Sequence, residues 1–248
     1  MANTFFDTIT YVIVDTTQHE LTQRALLRSQ NAFPLKNVLV FSDKEEPWTA
    51  TKFIRINKIQ SMSDYNRILL QDVVQHLETE YCLIIHYDGF VINPDIFSKL
   101  FLCYDYVGAT WAHRKHYNVG NGGFCLRSRR IMEIVANNFK NHDFNVPEDH
   151  LIARNYRAIL EDKFEIRFAP ADVANHFSQE TIQQPWPTFG FHGNVWLPVV
   201  YQENLKELFE TMNPTLSPGK DAQMENTCKK LGSKAIEAFA IYRSKITN

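Results

Sequence analysis

Three short runs of apolar, mostly β-branched or aromatic residues constrain this chain most: 9–15 (ITYVIVD), 37–42 (NVLVFS) and 81–87 (YCLIIHY). They are continuous rather than alternating. A strand of this kind is buried on both faces, as in the parallel sheets of layered folds. Between the first two runs, 18–30 (QHELTQRALLRSQ) places Leu21, Ala25 and Leu26 at helical spacing. A weaker strand is expected at 52–56 (KFIRI). A helix is expected at 63–77, opened by Ser63-Asp64 as its cap and carrying Tyr65, Ile68, Leu69, Val73 and Leu77 at helical intervals. Strands that alternate with helices predict an α/β fold with a mainly parallel sheet.

Beyond residue 104 the pattern is less regular. The expected elements are a strand or bend at 105–111, a strand at 122–126, helices at 127–139 and 149–158, and a strand at 164–170. An ordered aromatic loop is expected at 184–198, and mostly helix after 202. There is no repeat, low-complexity stretch or clear linker. The expected organisation is one domain over 1–200 with a helical extension, 201–248, packed on it.

The composition excludes several classes. In 248 residues, 44% are hydrophobic and 22% charged, values of a globular chain rather than a disordered or fibrous one. A formal net charge of -2 lacks the basic footprint of a nucleic-acid binder. No apolar run approaches the ~20 residues of a membrane span. The first residues, MANTFFDTITYVIVDTT, lack the basic region and small-residue cleavage site of a signal peptide. Cys82, Cys103, Cys125 and Cys228 have no metal-type spacing. The first three lie in apolar segments, which predicts reduced core thiols and a cytoplasmic protein. The basic, partly amphipathic stretch 228–247 either packs on the domain or makes a peripheral contact with an anionic membrane.

Chemistry-bearing residues fall in four places. The most apolar strand ends in His86-Tyr87-Asp88-Gly89. Asp88 there either holds a divalent cation or opens a turn. Only nine glycines are present, and Gly120, Gly122 and Gly123 crowd into one stretch, 118–124. That stretch is either a loop with exposed N–H groups that lets a polar ligand approach, or a hairpin turn. At Pro147-Glu148-Asp149-His150 two carboxylates stand at a helix start, as dipole complements or as a general base. His192 lies between Gly190 and Gly193 in an aromatic loop, either structural or close to a metal or phosphate.

The order of these blocks, HYDGF, DYVGATW, GNGGFCLRS, PEDH and FGFHGNVW, resembles glycosyltransferases of the GT-A type, and within that superfamily a domain-of-unknown-function family. The resemblance spans roughly residues 10–200. It implies a GT-A fold with a mixed, mainly parallel sheet, and transfer of a sugar from a nucleotide-sugar to a glycan or lipid-linked acceptor hydroxyl. By the same resemblance Asp88 and His192 would hold Mn2+ or Mg2+. Asp149 would be the catalytic base, with Glu148 as its alternate, and a single displacement would invert the anomeric carbon. Val14, Asp15, Thr16 and Asp43 would receive the nucleoside, which in such enzymes is most often uridine. Trp111, Gly122 and Gly123 would line the sugar pocket, and Arg67 would meet the diphosphate or else lie on a solvated helix face. His86 stands where the superfamily usually has the first aspartate of its metal motif, close to the donor.

Two rival enzymes are disfavoured. A sugar nucleotidyltransferase needs a glycine-rich basic loop after the first strand, and a Rossmann oxidoreductase needs GxGxxG there. This chain has TTQHELTQR instead. A degenerate glycosyltransferase fold used only for binding stays open.

Overall fold

The computed structural model describes residues 5–45, 48–111, 114–139, 143–180, 183–214 and 218–246. The first half alternates strand and helix: β1 (Ile9–Val14), α1 (His19–Ala32), β2 (Asn37–Ser42), β3 (Lys52–Arg55), α2 (Met62–Arg67), α3 (Val73–His76) and β4 (Tyr81–Ile84). Then come β5 (Tyr106–Val107), β6 (Ala109–Thr110), β7 (Val119–Gly120), β8 (Cys125–Ser128) and α4 (Arg129–Asn138). Next are α5 (Glu148–His150), α6 (Arg157–Phe164), α7 (Ala171–Phe177), β9 (Ser178–Gln179) and β10 (Gly190–Phe191). The chain closes with α8 (Leu197–Val200), α9 (Leu205–Thr211), α10 (Pro218–Leu231) and α11 (Ser233–Ile246).

The central sheet has the order β3-β2-β1-β4-β8-β5. The first four strands are parallel, and β8 runs antiparallel to both of its neighbours. This is the mixed, mainly parallel α/β architecture that the apolar runs imply. Because side chains alternate across a strand, each run feeds two cores. Val12, Val14, Leu39, Phe41, Cys82 and Ile84 face helices α2 to α4 and the start of α6. Ile9, Tyr11, Ile13, Val38, Val40, Leu83 and Ile85 face α1 and α7. The hydroxyl of Tyr11 donates to the carbonyls of Phe33 (2.7 Å) and Ser29 (3.2 Å), which fixes the end of α1 against the sheet. A third cluster joins α8 to α11 with Leu21 and Ala25 of α1, Phe90 and Phe191.

Several elements depart from expectation for local reasons. The cap of α2 is Ser61, not Ser63: Ser61 and Asp64 form a reciprocal capping box. A π-helical turn, Ile68–Asp72, joins α2 to α3, and another, Leu151–Asn155, joins α5 to α6. The strand expected at 122–126 begins at Cys125 and runs through Arg127, so the following helix starts at Arg129 with the Ser128 side chain as its cap. The expected strand at 164–170 is absent. Helix α6 runs to Phe164, Glu165 ends it in a left-handed conformation, and only Phe168 makes a bridge, to Tyr106. Part of 184–198 is regular, in β10 and α8. Cys103 is exposed on a short helical turn that directs Phe101 inward, whereas Cys82, Cys125 and Cys228 are buried free thiols. No helix of the described residues is long and apolar enough to cross a membrane. The apolar face of α11, with Ala238, Phe239 and Tyr242, is packed inside the protein.

Candidate metal and catalytic cleft

From β1 the chain moves outward to β2 and β3, then returns to place β4 on the other side of β1. Ligands of open α/β sheets bind outside the carboxyl ends of the strands at such a reversal. Two adjoining cavities lie there. The first, about 330 Å³, is lined by Val14, Asp15 and Thr16 after β1, by 59–62, and by Tyr65, His86 and Tyr87. The second, about 280 Å³, contains Asp88, Gly122, Gly123, Glu148, Asp149 and His192. Met62, Tyr65, His86 and Tyr87 line both, so the cavities share a wall.

In the first cavity Asp15 Oδ1 accepts from the backbone N–H of Thr17 (2.8 Å) and Gln18 (3.0 Å), tying the start of α1. Its Oδ2 is buried with no hydrogen-bond partner. A buried orphan acceptor costs free energy unless a donor meets it. The Thr16 hydroxyl accepts from the Ile59 N–H (3.0 Å) and holds the 56–60 segment at the cavity.

In the second cavity, His86 and Gly89 exchange backbone hydrogen bonds (2.8 and 3.1 Å), so Tyr87 and Asp88 form the tip of a tight turn. The segment is a turn, and Asp88 at its tip lines the cleft. Asp88 is only 2% exposed. Its carbonyl accepts from the Gly193 N–H (2.7 Å), which brings the distant aromatic loop alongside. His192 Nε2 then lies 3.7 Å from Asp88 Oδ1. Ligand atoms of His86, Asp88 and His192 all fall within 4.8 Å of one another. Two imidazoles and a carboxylate so placed are a chemically suitable set for a divalent cation.

Neighbours orient each imidazole. The Tyr65 hydroxyl and His86 Nε2 are 2.5 Å apart. His192 Nδ1 lies 2.9 Å from the Asn121 amide nitrogen and 3.3 Å from Glu180 Oε1. Asn121 Oδ1 accepts from the N–H groups of Gly123 (2.8 Å) and Phe124 (3.3 Å), which fixes the amide orientation. Asn121 itself has a φ of 77°, in the left-handed region that asparagine tolerates.

The glycine cluster serves packing more than an exposed cradle, since the Gly123 N–H is spent on Asn121. A Cβ on Gly123 would collide with the His192 ring, and one on Gly122 would collide with Glu148 Oε1. Their lack of side chains lets His192 and the acidic pair close onto one backbone.

The two adjacent carboxylates have different surroundings. Glu148 is 3% exposed and its Oε2 lies 2.6 Å from Nη2 of Arg127, which has no exposed surface. No aligned hydrogen bond satisfies either atom, so the contact is ionic. Burial pushes the Glu148 carboxyl up to about 7, with the Arg127 guanidinium pulling the other way. Asp149, half-buried, lines the cleft, and its Oδ1 accepts from the His150 N–H (2.8 Å). Asn66 secures this segment: its amide donates to the carbonyls of Phe144 (2.6 Å) and Val146 (2.9 Å) and accepts from the Glu148 N–H (3.2 Å).

Val14, Asp15, Thr16, His86, Asp88, Gly122, Gly123, Glu148, Asp149 and His192 are thus brought together. Three expected residues are not. Arg67 pairs with Asp72 (3.0 Å) on a half-exposed helix face and lines neither cavity. Asp43 is engaged by His19 (2.7 Å) outside both linings. Trp111 is a core residue, its ring lying where a side chain on Gly120 would be and meeting His150 edge-on. Sequence reasoning missed Tyr65, Asn66, Asn121, Arg127 and Glu180 as parts of the cleft. The one available signal was for Asn121, an asparagine inside a glycine-rich turn.

Comparison with known proteins gives one family. Residues 49–192 match the family described as protein of unknown function (DUF5672). No curated protein matches. Among solved structures, a glycosyltransferase involved in the glycosylation of the major capsid of PBCV-1 has a TM-score of 0.48 at 11% identity, covering 88% of this chain and 98% of its own. A protein from STIV has a TM-score of 0.38 at 12% identity, covering 64% of this chain and 79% of its own.

Proposed function

The chain belongs to this protein family of unknown function (DUF5672), and we propose that it is a metal-dependent glycosyltransferase that moves a sugar from a nucleotide-sugar to an acceptor hydroxyl. One observation carries the reading. Asp149 shares a cleft with the His86, Asp88 and His192 cluster, and that cleft shares a wall with the cavity at the end of β1.

The fit to a nucleotide-sugar is chemical. The orphan Oδ2 of Asp15 supplies an acceptor for a nucleoside N–H or ribose hydroxyl. Asp88 and His192, which line the second cavity, would hold Mn2+ or Mg2+ there. A divalent cation, when bound, supplies Lewis-acid stabilisation of charge on a departing diphosphate. Asp149 accepts the proton of the acceptor hydroxyl as that oxygen attacks the anomeric carbon, help worth about 10²–10⁴-fold. Glu148 is held by Arg127, which leaves the base role to Asp149. A single displacement inverts the anomeric centre. UDP as the nucleotide, and a glycan or lipid-linked acceptor, are extensions supported only by the motif resemblance.

The test is a panel of nucleotide-sugars incubated with the protein and Mn2+, read as release of nucleoside diphosphate. Turnover of one donor that is lost in Asp149→Asn, while the variant still binds that donor, supports the assignment. Binding without turnover in the wild type would favour a binding module instead, and neither binding nor turnover would contradict both.

A further inference from the structure

We propose that His86 is itself a metal ligand, making the cleft an imidazole-rich site that prefers a transition-metal dication to Mg2+. This rests on the metal-assisted reading of the cleft and goes beyond it in naming a third ligand and the cation class.

The geometry points to His86 in three ways. Its ligand atom lies within 4.8 Å of those of both Asp88 and His192. The two imidazole rings sit 5.9 Å apart at 71° to each other, edge to face rather than stacked. Each ring is held from behind. Tyr65 engages His86 Nε2 at 2.5 Å and also meets the ring edge-on, at 5.7 Å. The Glu180 carboxylate, 3.3 Å from His192 Nδ1, is the acceptor for the N–H that a ligating imidazole keeps there, whereas the Asn121 amide nitrogen, 2.9 Å from the same atom, is a donor and favours the other tautomer. Metal-bound imidazoles characteristically donate the second N–H to an oxygen acceptor, here the Tyr65 hydroxyl for His86 and the Glu180 carboxylate for His192. With Nε2 committed to the phenol, His86 ligates through Nδ1, and His192 ligates through Nε2, the atom nearest Asp88.

Two nitrogens and one carboxylate oxygen differ in kind from an all-oxygen set. Mg2+ favours oxygen and keeps its waters, whereas imidazole suits the later first-row dications such as Fe2+, Ni2+ and Zn2+; Mn2+, at the weak end of that series, is the spectroscopic probe for the site. A carboxylate at position 86 would lessen that bias.

The experiment uses chelator-stripped full-length protein titrated calorimetrically with MnCl2 or MgCl2 alone, with pulsed EPR of the Mn2+ form. The expected result is a higher affinity for Mn2+ than for Mg2+, with nitrogen coupling from both histidines. His86→Asp should narrow the Mn2+ to Mg2+ ratio and remove one nitrogen coupling. Tyr65→Phe should retain both couplings and weaken Mn2+ about tenfold. Equal affinities in the wild type, or a ratio and spectrum unchanged in His86→Asp, would overturn the proposal. The two readings fail differently. Nucleoside diphosphate bound equally well with Mg2+ and Mn2+ would sink the cation preference and leave the transferase reading standing. Mn2+ bound with both couplings but no nucleotide bound would do the reverse.

Discussion

No side-chain atom fits between Gly123 and His192: a Cβ on the glycine would occupy the space of the histidine's Nε2. The same nitrogen is the one turned to Asp88, 3.7 Å away. A backbone position in the glycine cluster therefore sets the location of an imidazole 69 residues later in the chain.

Gly123→Ala should therefore displace the His192 ring and not simply crowd the loop. The expected effect is Mn2+ binding weakened by about 10–100-fold, the range for disturbing what orients a metal ligand. Calorimetric Mn2+ titration of the folded variant measures it. Unchanged affinity would mean that the ring need not lie where the structure has it.

Asp88 and Asp149 should separate binding from transfer. Asp88→Asn should abolish metal-dependent nucleotide binding. Asp149→Asn should preserve that binding and slow transfer by about 10²–10⁴-fold. Nucleotide titration beside a turnover assay gives both values. Equal loss of binding in the two variants would contradict the division of roles.

Glu148 makes a pH-dependent contribution to stability. Its folded value of about 7 lies above its ordinary 4.5, so between these values the folded protein holds a proton that the unfolded chain releases. Stability from this group is therefore present at low pH and is lost as pH rises through the window, by about 3 kcal/mol in total. Denaturant unfolding of wild type and Glu148→Gln at pH 5 and pH 7.5 should show the wild type losing ground relative to the variant at the higher pH. Parallel curves would contradict the burial argument. At pH 7.5, where Glu148 is largely ionised, Arg127→Met should be far more damaging, by about 3–5 kcal/mol, because it leaves a buried carboxylate alone.

Asn66 lines the second cavity and ties the loop before Glu148 to α2 through three hydrogen bonds. Asn66→Ala should cost about 1–3 kcal/mol for the buried groups it strands. It should also lower turnover by disturbing the placement of Asp149. Stability and turnover measured on one preparation test both halves.

The sheet was legible because each apolar run carries its own evidence: residues buried on both faces need no knowledge of distant partners. Asp88, Asp149 and His192 were legible as blocks in an order, and Val14, Asp15 and Thr16 as a strand end. What failed depends on remote neighbours. Arg127 reads as the start of a helix until Leu126 and Ser128 are seen paired with β4, and only Glu148, 21 residues on, explains a guanidinium with no exposure. Tyr65 fits a helix's apolar stripe equally well whether it packs or bonds a histidine. The glycines signal close approach without saying to what. Here the visitors are Glu148 and His192. Arg67 fits the second of its two readings: a cation on the solvated face of the helix before β4, paired with Asp72.

The most direct measurement is calorimetric titration of UDP into the wild-type protein with saturating Mn2+ and, separately, with EDTA. The account predicts binding at one site with Mn2+, its loss with EDTA, and its loss with Mn2+ in Asp88→Asn. Binding of equal strength in EDTA, or UDP binding untouched by the loss of the Asp88 carboxylate, would contradict it.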